Sequence, residues 1–127
     1  MPDDKPHVYV PAGEAPPADL VTEDIEVGDG AEAVAGSQVE VHYVGVSWRT
    51  RKQFDASWDR NDTFSFGLGA GQVITGWDEG VAGMKVGGRR RIVIPPGKAY
   101  GRKGAGGVIG PDETLVFVVD LVGVRVS

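Results

Sequence analysis

The sequence predicts a single α+β domain in which an antiparallel β-sheet packs against one short α-helix. A chain of 127 residues is about the length of one domain. Segments with the apolar/polar alternation of strands outnumber helical segments by about five to one. The links between consecutive strands are short, which favours antiparallel pairing, since parallel strands need crossovers of a dozen or more residues.

The first 19 residues are predicted to be a proline-rich extension, and the domain is predicted to span residues 20–127. Five of the chain's eight prolines lie between Pro2 and Pro17, interleaved with alanine, glycine and aspartate. This composition is typical of an extended or loosely ordered arm, although "HVYV" at 7–10 could add a short edge strand.

Five segments have the patterns of strands. Their predicted bounds are 20–27, 37–48, 63–67, 89–96 and 113–126. The alternation is clearest in "SQVEVHYVGVSW", the second segment, where Val39, Val41 and Tyr43 face one way. Glu40 and His42 face the other way, so this strand is predicted to have one buried and one polar face.

One segment, "GQVITGWDEGVAGM" at 71–84, is predicted to contain the helix. Thr75 is the predicted N-cap, and an acidic first turn suits the positive end of the helix dipole. Trp77, Val81 and Met84 recur at i, i+4 and i+7, so they form one apolar face towards the sheet.

The glycines of this segment are unusual, because each interior glycine weakens a helix by roughly 1 kcal/mol. Small residues allow the helix backbone to approach the sheet closely. Trp77 is then either an ordinary core side chain or the floor of an apolar binding pocket. The aromatic residues that could line such a pocket are Tyr43, Phe54, Phe64, Phe66, Tyr100 and Phe117.

Composition and charge exclude several classes of function. The absence of cysteine excludes disulfides, thiolate metal sites and cysteine nucleophiles. A formal charge of −5 argues against a general nucleic-acid binder. The start of the chain lacks the pattern of a secretory signal, and the longest apolar run, Leu115–Val124, is too short to span a bilayer. We therefore expect a cytoplasmic protein without a membrane or nucleic-acid partner.

Three stretches resemble the FKBP-type peptidyl-prolyl cis/trans isomerases: "VEVHYVG" at 39–45, the long segment from "FDASW" to "GKAYG" at 54–101, and "ETLVFVVDLV" at 113–122. The resemblance extends over roughly Leu20 to Val126, and the order "FD", "VI.GW.EG" and "AYG" is specific to the family. It implies a five- or six-stranded antiparallel sheet wrapped around one short helix. It also implies a monomer that catalyses X–Pro isomerisation.

The resemblance implies a site as well. Trp77 matches the floor of the proline pocket, and Asp55, paired with Arg60, matches the carboxylate at its rim. The backbone N–H of Ile74 and the hydroxyl of Tyr100 match the donors that hold ligand carbonyls. Asp55, Ile74 and Tyr100 are thus the implied catalytic residues. The implied substrate-binding residues are Tyr43, Phe54, Phe64, Val73, Ile74, Trp77, Tyr100, Ile109 and Phe117.

Three positions near the pocket depart from the family pattern. Ala105, Gly110 and Lys98 stand where histidine, proline and an aromatic residue are common among relatives. The preference of this protein for partners and substrates can therefore differ from that of its relatives. The loop after Tyr100 is short and glycine-rich, without the inserted domain of relatives that act mainly as chaperones.

The implied reaction needs no nucleophile, general base, metal or cofactor, because no bond forms or breaks. Rotation about an X–Pro bond loses amide resonance, with a barrier of about 18–20 kcal/mol. A dry aromatic pocket favours the less polar twisted imide. The expected ligands are proline-containing unfolded or flexible polypeptides and rapamycin-type macrolides. The alternative is a proline-recognising binding module in which turnover is incidental.

Other chemistries have weaker support. His42 is expected on a solvated strand face, which leaves Ser57 and Ser65 without a base. The carboxylates of "DASWDRND" lack the glycine and terminal glutamate of a calcium loop. "GLGAGQ" is not a dinucleotide motif, because residue 72 is glutamine. Arg89 and Arg91 are expected on a solvated face rather than in a nucleic-acid patch.

Overall fold

The structure is a computed structural model that describes residues 4–126. It has an antiparallel sheet and one short helix, as predicted, and the sheet has six strands where five or six were expected. The helix, α1, is Thr75–Gly80. Single 3₁₀ turns occupy Ser57–Arg60 and Pro96–Lys98. The strands are β1 Val21–Glu26, β2 Ser37–Ser47, β3 Gln53–Ala56, β4 Phe64–Gly67, β5 Arg89–Ile94 and β6 Leu115–Val126.

The order of the strands brings distant aromatic residues together. The sheet runs β1-β5-β6-β2-β3, and β4 pairs with the other half of β2. Along β2, Val39 lies opposite Phe66 of β4, and Gly45 lies opposite Asp55 of β3. Tyr43 is therefore flanked by both short strands, while β6 covers the other edge of β2 along its whole length.

All five strands predicted from sequence are present, each within two residues of its predicted ends. The sixth strand, β3, has only four residues. Its sequence, QFDA, has a single large apolar residue and so lacks the alternation that two phenylalanines give the equally short β4.

The helix lies on one face of the sheet, over the main core. Trp77, Val81 and Met84 are all buried there, as predicted, although α1 already ends at Gly80. The predicted close approach is confirmed, since a Cβ on Gly76 would lie 2.7 Å from Cδ1 of Ile94. Carbon atoms need about 3.5–4.0 Å, so only glycine fits at this contact.

The predicted N-cap, Thr75, was wrong by one residue. Thr75 is already helical, and the N-cap is Ile74, whose backbone is extended and whose side chain cannot cap. The Ile74 carbonyl accepts the N–H groups of Trp77 and Asp78, which closes the first turn. The extended residue at this boundary is the one whose N–H the resemblance assigns to ligand binding.

The opposite face of the sheet is covered by residues 4–19, called the N-terminal segment below. Val8 and Val10 are each only 8% exposed. They join a second apolar cluster that also contains Val44, Val46, Ala56, Val93, Val116 and Val118. Residues 7–10 nevertheless form no strand, so the possible edge strand is absent.

Arginine side chains hold this segment in place of a backbone ladder. Arg91 donates to the carbonyl of Tyr9 at 2.9 Å, and Arg89 donates to that of Asp4 at 2.7 Å. The expectation that Arg89 and Arg91 lie on a solvated face was therefore wrong, because the N-terminal segment lies over that face and both side chains are partly buried.

His42 is also less solvated than expected. Its ring stacks on Trp58 with centroids 4.2 Å apart, and Nδ1 lies 2.8 Å from Oγ of Ser57. Ser57 in turn accepts the backbone N–H of Tyr43 at 2.7 Å, so its hydroxyl has a structural role.

Within residues 4–126, no helix has the length and apolar character needed to cross a bilayer.

Candidate functional site

An aromatic cavity opens on the helix-covered face of the sheet. Its volume is about 210 Å³, which is below the roughly 300–1,000 Å³ of drug-sized sites. It is therefore suited to a group of side-chain size. The lining residues are Tyr43, Phe54, Asp55, Phe64, Gln72, Val73, Ile74, Trp77, Tyr100 and Phe117.

Trp77 lies at the centre of the aromatic cluster. Its ring meets those of Tyr43 and Phe117 edge-on, at centroid distances of 4.9 and 5.3 Å. Phe66 and Phe64 lie 5.6 and 6.0 Å away. Such edge-to-face contacts fix ring orientations. The indole is only 5% exposed, and its N–H has no hydrogen-bond acceptor among the described residues.

Three polar side chains at the rim form a closed network. The hydroxyl of Tyr43 donates to Oδ2 of Asp55 at 2.6 Å. Arg60 donates to Oδ1 of Asp55 at 2.6 Å and to the Tyr43 oxygen at 2.9 Å. The predicted pairing of Asp55 with Arg60 is confirmed. Because Tyr43 has used its only proton, it holds the wall but has no donor left for a ligand.

The network keeps Asp55 ionised and Tyr43 neutral. Burial opposes the charge on Asp55, but hydrogen bonds from Tyr43 and Arg60, together with the Arg60 charge, outweigh it, so the pKa of Asp55 is lowered. Burial and the hydrogen bond to Asp55 raise the pKa of Tyr43, against the opposing effect of Arg60. Both shifts move the pKa values away from neutrality.

Two candidate donors at the cavity are unused within residues 4–126. The backbone N–H of Ile74 and the hydroxyl of Tyr100 make no hydrogen bond with any described residue. Tyr100 is 41% exposed. A ligand carbonyl at the cavity could therefore accept from either group without breaking an existing bond.

The loop that leads to Ile74 is held by side chains. Asp78 accepts the backbone N–H groups of Gly69 at 2.9 Å and Gly71 at 3.2 Å. Gln72 accepts the N–H of Gly67 at 2.8 Å through Oε1. Gln72 also lines the cavity, which sequence reasoning missed. Its place directly before Val73 and Ile74 was the signal available.

One predicted wall residue lies elsewhere. Ile109 is not among the lining residues but is buried in the main core, 6% exposed, where its backbone bonds with that of Ala105. Its neighbour Val108 is 61% exposed. Lys98, one of the departures from the family pattern, forms an ion pair with Glu79 of the helix. The other eight predicted substrate-binding residues, and Asp55, surround the cavity.

Two larger cavities occur along the N-terminal segment, but among the described residues neither is lined by aromatic rings in contact with one another. One of about 460 Å³ is lined mainly by polar residues, and Trp48 is its one described aromatic ring. Another, of about 550 Å³, lies between this segment and β1. Among the described residues, no group of three or more histidine, aspartate or glutamate side chains could hold a metal ion. The aromatic cavity remains the candidate site.

Residues 30–122 match the family described as FKBP-type peptidyl-prolyl cis-trans isomerase. The chain is 61% identical over 122 residues to an FK506-binding protein of Streptomyces anulatus, covering 95% of this chain and 98% of that protein. It is 53% identical over 119 residues to a probable FK506-binding protein of Corynebacterium glutamicum, with 94% and 98% covered.

A solved structure agrees with these similarities. The crystal structure of AtFKBP13 superposes with a TM-score of 0.76 at 39% identity, and the match covers 82% of this chain and 91% of that one. These findings agree with the aromatic cavity and the strand order, and they show that the chain belongs to the FKBP family of peptidyl-prolyl cis-trans isomerases.

Proposed function

We propose that this protein accelerates cis/trans isomerisation of X–Pro bonds in unfolded or flexible polypeptides, as a cytoplasmic monomer without a cofactor. The observation that supports this most strongly is the cavity itself, where aromatic rings enclose a space of side-chain size and two unused donors lie at its edge.

In this mechanism, the proline ring enters the cavity over Trp77, Ile74 and Tyr100 act at the imide, and Asp55 contributes from the rim. The aromatic walls exclude water. Loss of water destabilises the planar, polar imide more than the less polar twisted form, so the barrier to rotation falls. The N–H of Ile74 and the hydroxyl of Tyr100 stabilise the displaced carbonyl oxygen by hydrogen bonds. The ion pair of Asp55 with Arg60 holds the Tyr43 wall in position.

A protease-coupled assay on a blocked Ala-Leu-Pro-Phe peptide tests the proposal. We expect a rate proportional to protein concentration and above the uncatalysed rate, which has a time constant of tens to hundreds of seconds. The matched comparison is Trp77→Ala, which removes the floor and is expected to abolish most of the acceleration. Failure of the folded protein to accelerate exchange would reject the enzyme proposal.

The peptide residue that precedes proline is expected to affect the rate. An apolar wall favours leucine or phenylalanine there and disfavours glutamate, since burial of an unpaired charge is unfavourable. We expect a lower kcat/KM for Glu-Pro than for Leu-Pro peptides in the same assay. Equal values would contradict the proposed contact between that residue and the aromatic walls.

The second candidate function is ligand recruitment with incidental turnover, and the names of the relatives, FK506-binding proteins, favour its consideration. A macrolide would exceed a 210 Å³ cavity, so it would also contact the surrounding surface. Calorimetric titration with rapamycin, followed by the peptide assay, separates the two. Tight macrolide binding with no peptide turnover would favour recruitment.

A further inference from the structure

The side-chain amide of Gln72 is a polar group of the cavity that the mechanism above does not use. Gln72 lines the cavity next to Val73 and Ile74, and its side chain reaches back to β4. One end of the amide is bonded to the protein there, the rest of the amide lies beside Gly67, and the residue as a whole is exposed.

The orientation of the amide follows from its partner. The backbone N–H of Gly67 can only donate, so the atom 2.8 Å from it must be the acceptor Oε1 of Gln72. Nε2 is therefore the other end. Its two N–H groups have no partner among the described residues, although each is a full hydrogen-bond donor.

The loop on either side of Gln72 is fixed. Asp78 of α1 binds the N–H groups of Gly69 and Gly71, and Ile74 begins the helix. A donor on such a support loses little freedom when it binds a ligand, which favours its use in recognition. An extended peptide whose proline occupies the cavity presents backbone carbonyl oxygens at the mouth, and those oxygens are acceptors.

We propose that Nε2 of Gln72 donates a hydrogen bond to a backbone carbonyl oxygen of the bound peptide, next to its X–Pro bond. This inference rests on the proposed isomerase function and deepens it. Gln72 becomes a substrate-contacting residue, and the chemical group it recognises is a neutral carbonyl.

Two substitutions separate this role from a structural one. Gln72→Glu keeps an oxygen for the Gly67 N–H but removes the donor, whereas Gln72→Ala removes both. A purely structural role predicts a loss of activity in Gln72→Ala alone. The proposed contact predicts that both variants raise KM for the Leu-Pro peptide about five-fold, with kcat within about two-fold.

The charge introduced by Gln72→Glu gives a second measurement. Peptides carrying lysine or glutamate beside Leu-Pro are compared in the unsubstituted protein and both variants. We expect Gln72→Glu to shift the ratio of kcat/KM values towards the lysine peptide by about ten-fold, and Gln72→Ala to leave it unchanged. A folded Gln72→Glu variant with the original KM and the original ratio would overturn the proposal.

Nuclear magnetic resonance tests the contact without turnover. The chain has three glutamines, so the side-chain amide signals are few, and the Gln72 pair is assigned by its loss in Gln72→Glu. Gln53 is the internal control, since its Nε2 already donates to Asp59. On titration with the Leu-Pro peptide, the Gln72 signals should shift and the Gln53 signals should not.

The outcomes distinguish the two proposals. Peptide-dependent shifts at Ile74 without a shift of the Gln72 amide would overturn this inference and leave the isomerase proposal intact. A protein without turnover whose Gln72 amide still shifts would reject the isomerase and retain the contact. The absence of any shift at millimolar peptide would overturn this inference, and it would overturn the isomerase proposal as well only if turnover is also absent.

Discussion

At the scale of single residues, the cavity separates groups that the protein has already bonded from groups left for a ligand. Tyr43 and Asp55 are bonded to each other and to Arg60, whereas the hydroxyl of Tyr100 has no partner among the described residues. The sequence pattern identified both tyrosines as pocket residues. The pattern alone could not distinguish their roles, because it does not show which side chains from other strands and turns bond a hydroxyl. The family resemblance was needed to imply that the Tyr100 hydroxyl is the donor.

Tyr100→Phe tests the role of the unbonded hydroxyl. The substitution keeps the ring and removes one donor, so we expect a loss of about 1 kcal/mol, or several-fold in kcat/KM. The control is unfolding in urea, which should be unchanged because Tyr100 is exposed and its hydroxyl makes no bond within residues 4–126. Complete inactivity of a folded Tyr100→Phe protein would indicate proton-transfer chemistry.

The rim network predicts how activity depends on pH. The lowered pKa of Asp55 and the raised pKa of Tyr43 place both titrations outside the range of about pH 6 to 8. We expect kcat/KM to be flat there. A bell-shaped profile centred near pH 7 would contradict a mechanism without acid–base catalysis.

Stability should respond at lower pH. Because the folded-state pKa of Asp55 lies below its unfolded value, its stabilising effect is present above about pH 4 and is lost as pH falls through the folded pKa. Urea unfolding at several pH values measures this effect, and Asp55→Asn is the control that should lose it. For Tyr43 the sign is opposite, and the effect is lost only as pH rises through its raised pKa.

At the scale of elements, α1 was predictable in place and apolar face but not in length. Its six residues are fewer than an isolated helix needs, so packing rather than propensity stabilises it. Arg90 contributes from β5, where it donates to the carbonyls of Gly80 and Ala82 at 2.8 and 3.0 Å and pairs with Asp24. No local pattern reveals a cap supplied by another strand.

Gly76→Ala tests the contact between α1 and β5. Alanine has the higher helix propensity, yet its Cβ would overlap the fully buried Ile94, so we expect a destabilisation of roughly 1–3 kcal/mol. Gly97→Ala is the matched control, because nothing lies within 4 Å of a Cβ there. Urea unfolding of both variants measures the difference. A Gly76→Ala protein as stable as the control would mean that the helix can move away from β5.

At the scale of the whole molecule, the sequence predicted the helix-covered face of the sheet better than the opposite face. Alternation in β2 placed Val39, Val41 and Tyr43 on one face, and Tyr43 packs against Trp77 there. Alternation in β5 assigned Arg89 and Arg91 to solvent because the pattern of a strand does not show what covers its polar face. The cover is the N-terminal segment, whose prolines predicted its lack of strand structure but not its packing.

Removal of residues 1–17 tests what this cover does. Every residue around the aromatic cavity lies beyond Leu20 and on the opposite face of the sheet from Val8 and Val10. A protein that starts at Ala18 should therefore keep its kcat/KM for Leu-Pro peptides. Deletion also exposes the second apolar cluster and removes two buried valines, each worth about 1.5 kcal/mol or more before the entropy of ordering the segment is subtracted.

We accordingly expect the free energy of unfolding of the shortened protein to fall by about 1–3 kcal/mol, so that it unfolds at a lower urea concentration. Its activity should be retained at low denaturant. Val8→Ser with Val10→Ser in the full chain is the matched comparison, since it removes the apolar contact but keeps the bonds from Arg89 and Arg91 to the segment. Loss of most of the activity in a shortened protein that remains folded would show that the segment helps to build the site. The physical route would be through β2 and β6, because both faces of the sheet are formed by the same strands.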